Sequence, residues 1–332
     1  MKYQRLLAII EYLWKYSSKQ NLKSIEDILH YLELQQIEGG LKAVRNDLKF
    51  LTSEDSLIQV KTAQFGRNQY RHYWIENRFF ELHELRYLMD AISSARFISE
   101  KETQQIIEKL KTFVSVDEAI LLENQLVHSF AKIDSPQFAK TVQIIHQAIS
   151  EKRTIQFQYG RYSVDKEFVL SGSPNPKTYN IHPYGIIWNE EMYYLIGFNT
   201  KEGAIHHYRI DRIRDICMLE QKFVMQPGFD INKYRNLLFF MFGGEESSIE
   251  VIFHNNLIPA VIDRFGLHAN IKKVDDEHFR LITRAILSKG LVRWLLSWGA
   301  DAKVVHPKKL VEEMKTEAQK LYQLYHQTKV LK

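Results

Sequence analysis

The sequence predicts an α+β chain of several domains, and three observations predict it. Its 332 residues exceed what one compact core usually holds. Apolar residues recur at helical spacing through the first part of the chain, then give way between residues 154 and 220 to β-rich runs separated by Gly, Pro, Asn and Asp. From residue 247 strand-like and helix-like runs alternate.

Taken in order, Leu6, Leu7, Ile10, Leu13 and Trp14 fall at helical spacing. Ser24 stands where an N-cap belongs, with Asp27 three residues on, before Ile25, Ile28, Leu29 and Leu32. Gly39-Gly40 ends that helix, and a third follows with Leu41, Val44, Leu48 and Leu51 on one face. Leu57 to Thr62 and Tyr70 to Ile75 read as strands joined by an FGRNQ turn. Residues 1–78 therefore hold the parts of a winged helix-turn-helix: three short helices and a hairpin.

Residues 79–150 read as a helical linker and candidate dimerisation region. Phe80, Leu82, Leu85 and Leu88 begin one amphipathic run, Ile106, Ile107, Leu110 and Phe113 another, and a last helix spans Phe138 to Ile149 after Pro136. Residues 151–222 carry TIQFQY, TYNIHPYGIIW, EMYYLIGF, AIHHYRI and IRDICMLE, which predict a small antiparallel barrel or sheet. Residues 223–246 form a connector with a helix around Tyr234 to Met241. In residues 247–332 the order βαββαβ, closed by a long helix from about Pro307 to Tyr325, predicts a ferredoxin-like unit.

Composition narrows the function. The chain is 45% apolar and 26% charged, the balance of an ordinary globular protein. No apolar run approaches the roughly 18 residues of a spanning helix, and the N-terminus lacks a signal-peptide cleavage pattern, so no membrane partner is expected. The lone Cys217 fits a reducing, cytoplasmic setting. A net charge of +5 permits an anionic partner without requiring one.

The third helix offers the sharpest chemistry. Lys42, Arg45, Asn46 and Lys49 recur three or four residues apart, on the face opposite the leucines. Cations neutralise phosphates, while Arg, Lys and Asn also bond base edges in the major groove. Arg67 and Asn68 at the hairpin tip, with Arg71 behind, are placed to touch the backbone or minor groove. Considered alone, such a face is more often merely solvated; the preceding helices and the basic hairpin favour DNA. Residues 39–51, GGLKAVRNDLKFL, resemble the recognition helix of DeoR-type regulators, whose pattern is similar to S-x-R-T-I-x-R-D-L. Val44, Asp47 and Leu48 match, while Gly40, Lys42, Ala43 and Asn46 depart from it.

The β-rich region carries a second candidate site. Strand alternation puts His182 and Tyr184 on one face; it pairs His206 with Tyr208 and His207 with Arg209 on opposite faces. Tyrosines, histidines and arginines together suit an anion or nucleotide pocket. The plainer alternative is half-buried tyrosines with wet hydroxyls and solvated arginines. The region resembles the WYL-domain family. In EMYYLIGF, Tyr193, Tyr194 and Leu195 stand at the motif's Trp, Tyr and Leu. HHYRIDRI is similar to R-x-F-R-L-D-R-I, with Arg209, Asp211 and Arg212 matching, and with His206 and Tyr208 replacing Arg and Phe. FELHEL resembles the family's linker opening, and GLVRWLLSWGADAKVVHPKKL its C-terminal extension.

That resemblance implies a transcriptional regulator whose Sm-like or SH3-like barrel senses a nucleic-acid-derived or other anionic ligand. Phage-defence islands are among the family's settings. Carried over residue by residue, the pocket falls on Tyr159, His182, Tyr184, Tyr194, His206, Arg209 and Arg212, which alternation forbids from all facing one cavity. The sequence has no P-loop, G-x-G-x-x-G, G-x-S-x-G or H-E-x-x-H, so no enzyme, cofactor or metal site is expected. The expectation is a cytoplasmic homodimer that binds double-stranded DNA at a palindromic operator, acts as a repressor and responds to an anionic nucleotide or nucleic-acid ligand. The alternative is a nucleic-acid-processing accessory protein that holds single-stranded DNA or RNA on the β-domain.

Overall fold

The computed structural model describes residues 2–65, 70–76, 78–124, 132 and 137–326. The chain divides into two compact units, Met1–Ser135 and Pro136–Lys332.

In the first unit, α1 (Lys2–Tyr16), α2 (Ile25–Leu34) and α3 (Leu41–Leu51) precede a hairpin of β1 (Val60–Phe65) and β2 (Tyr70–Ile75). Ile9, Leu13, Ile28, Leu32, Val44, Leu48, Leu51 and Ile75 meet in one core, each fully buried side chain contributing about 2 kcal/mol. The expected cap of α2 is present as a reciprocal box: Asp27 N–H donates to Ser24 Oγ, and Ser24 N–H to the Asp27 carboxylate. Gly39 sits in close packing: a Cβ there would lie 3.0 Å from Leu32 Cδ1 and 3.2 Å from Arg5 Cδ, and those side chains would have to give. Lys23 pairs with Tyr73 across backbone bonds of 3.0 and 2.8 Å, tying the α1–α2 turn to the hairpin. The first strand begins at Val60, three residues later than the Leu57 start the sequence suggested. Side-chain bonds from Ser56 and Gln59 to the backbone of residues 53–58 hold a loop there instead.

Among the described residues this unit has three further helices, α4 (Leu82–Ser94), α5 (Glu100–Lys111) and α6 (Val116–Glu123), around Leu85, Met89, Ile107, Val114 and Leu122. The Arg78 guanidinium sits over the Trp14 ring and donates to the Trp14 and Ser17 carbonyls, while Trp14 Nε1 donates to the Thr112 carbonyl.

The second unit opens with α7 (Phe138–Glu151), which the sequence reading assigned to the linker of residues 79–150. Its buried face of Phe138, Thr141, Ile145 and Ala148 packs on the following sheet, so the break between units lies near residue 135. That sheet comprises β3 (Arg153–Tyr162), β4 (Phe168–Leu170), β5 (Thr178–Asn189), β6 (Met192–Asn199), β7 (Ala204–Arg209) and β8 (Ile213–Lys222). All pairings are antiparallel, in the order β8-β3-β5-β6-β7, with β4 on the distal end of β3. A 3₁₀ turn, Ile210–Arg212, leads from β7 to β8; among the described residues no ladder joins those two strands, so the sheet is open where a closed barrel was one expectation.

The connector helix α8 (Ile231–Leu237) starts earlier than the Tyr234 expected, and the last sheet begins at Glu245. Its strands β9 (Glu245–His254), β10 (Asn270–Lys273), β11 (His278–Leu287) and β12 (Ala302–His306) are ordered β10-β11-β9-β12, all antiparallel. Helices α9 (Ile258–Phe265) and α10 (Lys289–Leu296) make the two crossovers, and α11 (Lys308–His326) closes the chain. Ile249, Val251, Phe253, Leu281, Leu291 and Leu295 form its core.

Candidate functional site

Helix α3 divides cleanly into an anchored and an outward side. Val44, Asp47, Leu48 and Leu51 are buried, whereas Lys42, Arg45, Asn46 and Lys49 are all exposed. Asp47, one of the motif matches, points inward and accepts from Arg5 Nε at 2.7 Å, an ion pair joining α3 to α1. Arg71 and Arg45 both flank the Tyr73 hydroxyl. Burial raises that hydroxyl's pKa, and the two guanidiniums oppose the rise. Arg71 is itself exposed. Arg67 and Asn68 lie outside the described residues. Three cations and an amide on one helix, with an arginine beside them, can neutralise phosphates and bond base edges.

In the β-domain the candidates carried on regular strand split between the two faces of the sheet, while Arg212 lies on the 3₁₀ turn. Tyr159 and His206 share the inner face with Phe157, Tyr179 and Tyr208, whose rings pack edge to face with centroids 5.1–6.4 Å apart where they are not nearly parallel. His182, Tyr194 and Arg209 lie on the outer face. A bulge between Pro183 and Gly185 breaks the alternation at Tyr184, whose ring, like that of His182, meets Phe223. Gly197 is required on β6 because a Cβ would fall 2.3 Å from Ile181 Cγ2 and 3.0 Å from the His182 carbonyl oxygen.

Several candidates already have partners. Tyr159 Oη accepts from the Arg209 backbone N–H at 3.1 Å, tying β3 to the end of β7 beside the 3₁₀ turn; burial raises its pKa. Tyr184 Oη accepts from Gln226 N–H. His206 faces Glu202 at 3.1 Å. His182 is stacked on Phe223 at 4.9 Å, burial lowers its pKa, and its Nε2 is buried without a partner.

The three arginines of the RIDRIR run have separate fates. Arg209 grips buried Asp211 through two nitrogens, Nε to Oδ1 at 3.1 Å and Nη2 to Oδ2 at 2.9 Å. Burial alone would lower its pKa, but the bond to Asp211 outweighs this and the net shift is upward. Arg214 donates to the Asp211 and Ile213 carbonyls and lies over the Phe168 ring at 3.9 Å. Arg212, by contrast, keeps a buried Nε with no hydrogen-bond partner, close enough to the Tyr159 and Tyr194 hydroxyls to favour their ionised forms. An unsatisfied buried guanidinium nitrogen is costly in isolation and is relieved by an acceptor oxygen.

Sequence reasoning put His207 on the face of Arg209 but gave it no partner. His207 Nδ1–H donates to the Met241 carbonyl at 2.7 Å, and its Nε2 accepts from the Tyr234 hydroxyl at 3.0 Å, clasping β7 to the connector. Burial lowers its pKa, opposed by the Met241 bond. A cleft of ≈ 390 Å³ opens beside the β5–β6 turn, lined in part by Trp188, Glu190, Asn232 and Arg235. Only the aromatic and charged character of these residues could have marked them, because their meeting depends on where α8 packs. Among the described residues no cluster of His, Cys, Asp or Glu could hold a metal ion, and no helix is long and apolar enough to cross a membrane.

A WYL domain is matched over residues 140–218 and a WCX domain over residues 245–322. The chain thus carries a WYL domain and a WCX domain, and the first match takes in most of α7, as the packing of that helix does. Among solved structures it resembles the proteasome accessory factor B/C (PafBC) of Arthrobacter aurescens, at 16% identity and a TM-score of 0.29, over 97% of this chain and 49% of that one. It therefore spans about half that protein's length. It also resembles a CRISPR Cas-related protein, at 14% identity and a TM-score of 0.39, over 98% of this chain and 86% of that one. No curated protein matches the chain.

Proposed function

We propose that the protein is a ligand-responsive DNA-binding transcriptional regulator, acting as a repressor and as a dimer on a palindromic operator. One observation carries this reading: Lys42, Arg45, Asn46 and Lys49 all protrude from a helix whose other side is locked in the core. The three-helix head with its hairpin is read as a DeoR-like winged helix-turn-helix. The order β8-β3-β5-β6-β7 with its 3₁₀ turn is read as an Sm- or SH3-like arrangement, and the last sheet as ferredoxin-like.

In this reading the β-domain is a sensor, and Arg212 receives an anionic oxygen of a nucleotide or nucleic-acid fragment. Ligand binding at the 3₁₀ turn shifts the population between two arrangements of the dimer and so changes operator affinity. The protein binds and does not catalyse. Nuclease footprinting on DNA upstream of its own gene tests the proposal: protection of a discrete inverted repeat supports it, and equal affinity for any duplex contradicts it.

The second reading, a single-strand binder using tyrosine stacking, draws on the same aromatic rings. Tyr208 and Phe157 are buried, and the rings pack on one another, which leaves few π-faces for bases. The regulator reading is therefore preferred.

A further inference from the structure

We infer that the groove between α10 and α11 binds a short peptide with apolar side chains and both termini free. The groove encloses ≈ 700 Å³, within the range of small-molecule sites. Each helix gives it a single face. On α10, Lys289, Val292, Arg293 and Leu296 fall three or four residues apart, and on α11 so do Lys309, Glu313 and Glu317. Val292 belongs to the core of the last sheet, and Leu287 and Leu296 pack against it, so the floor of the groove is apolar and fixed.

The walls carry three cations, Lys289, Arg293 and Lys309, against three carboxylates, Glu312, Glu313 and Glu317, so the groove is neutral as a whole. Its charges are sorted by side. Lys289 and Arg293 stand one turn apart on α10, and Glu313 and Glu317 one turn apart on α11. Like charges at that spacing repel, so neither pair steadies its own helix. Nor do the walls neutralise each other. Glu312 is paired with Lys315 at 2.8 Å and Glu317 with Lys320 at 2.6 Å, both within α11, and Lys309 faces Glu245. Among the described residues no ion pair joins α10 to α11, and Lys289, Arg293 and Glu313 have no ion-pair partner. The Lys320 bond holds the Glu317 carboxyl below its ordinary pKa, and Lys289 and Arg293 lower it further, which sets them within electrostatic reach across the groove.

A neutral groove with sorted charges disfavours a simple ion. An anion drawn to Lys289 and Arg293 meets Glu313 and Glu317, and a cation meets the reverse. A molecule with opposite charges at its two ends satisfies both walls. Packed helices lie roughly 8–10 Å apart, axis to axis. A free amino acid is too short for that span, and each further residue extends a chain by about 3.3–3.6 Å, so about two to four residues reach from wall to wall. The peptide carboxylate then faces Lys289 and Arg293, its ammonium faces Glu313 and Glu317, and its apolar side chains cover Val292 and Leu296. This ligand differs in charge from the anion read at Arg212, and the site stands apart from the DNA reading.

Isothermal titration calorimetry of the full chain with trileucine, both termini free, tests the assignment. The wild type should bind it, while acetyl-trileucine, trileucine amide and triserine should each bind weaker by roughly tenfold or more. Lys289→Gln combined with Arg293→Gln should remove the preference for a free carboxylate and keep that for a free ammonium. Glu313→Gln combined with Glu317→Gln should do the converse. Circular-dichroism melting of both variants should match the wild type, because none of the four side chains is buried. A wild type that takes the acetylated peptide as well as the free one holds a plain carboxylate, and one that takes the amide as well holds a plain amine; either result overturns the proposal. So does the absence of binding at millimolar trileucine, equal affinity for triserine, or a preference for both free termini that survives in both double variants.

Discussion

Arg209 and Arg212 stand three residues apart in one motif and do opposite work. The first is consumed by Asp211, which is only 4% exposed; the second keeps an unmet Nε. Removing Arg209 leaves a buried carboxylate uncompensated, and Arg209→Ala should destabilise the second unit by about 3 kcal/mol in urea unfolding. Arg212→Ala should change stability by less than about 1 kcal/mol while abolishing the binding of a short single-stranded oligonucleotide in calorimetry. If Arg209→Ala were the stable, binding-defective variant instead, the division would be reversed. His207 gives a pH signature. Its folded-state pKa lies below the ordinary 6.5, so the unfolded chain takes up protons first as pH falls. Its contribution is complete above pH 6.5 and is lost as acidification passes through the depressed folded value. His182 is shifted in the same direction by burial and adds to the loss. The melting temperature should fall between neutral and mildly acidic pH, and His207→Gln should make that fall shallower.

Among the elements, α3 depends on a contact that its own sequence hides. Asp47 matched a regulator motif without an evident purpose; in the fold it is the buried partner of Arg5, forty-two residues earlier. Arg5→Ala should therefore destabilise the head by about 3 kcal/mol, although Arg5 is not among the outward residues of α3. Ser24→Ala, which opens the cap of α2, should cost about 1 kcal/mol. The helices were legible in the sequence because caps and apolar spacing are local: the apolar stripe from Leu41 to Leu51 marks α3 to the residue. The misplacements have equally local physics. Leu57 looked like strand yet is wholly exposed, since the Ser56 and Gln59 side chains satisfy the loop backbone around it. Strand β4, three residues long, pairs only with the end of β3 and carries too little pattern to be read. The bulge at Pro183–Gly185 interrupts the alternation on which the face of Tyr184 was argued, yet its ring and that of His182 both meet Phe223.

For the whole molecule, the sequence order of head, helical region, β-domain and alternating tail was readable. Where the parts separate was not. Helix α7 has the amphipathic pattern of a linker helix, and nothing in that pattern says that its apolar face belongs to the sheet that follows it. The pocket was legible as a set of residue types and not as a cavity, since Tyr159 and Tyr194 fall on opposite faces of one sheet. In the proposed reading, function at this scale needs a head that reads DNA and a sensor that biases it. An Arg212→Ala protein should accordingly bind operator as the wild type does but show no change when oligonucleotide is added, as measured by fluorescence anisotropy.

The most direct test is the salt dependence of duplex binding by the full chain, wild type against Arg45→Ala and Lys49→Ala. Each phosphate contact contributes a slope of roughly −0.9 to the plot of log affinity against log salt. If α3 lies in the major groove, both variants should weaken operator binding, Lys49→Ala should flatten the slope by about one unit, and Arg45→Ala should also erode the preference for operator over random duplex. Unchanged affinity, slope and preference in both variants would contradict a DNA-reading role for α3.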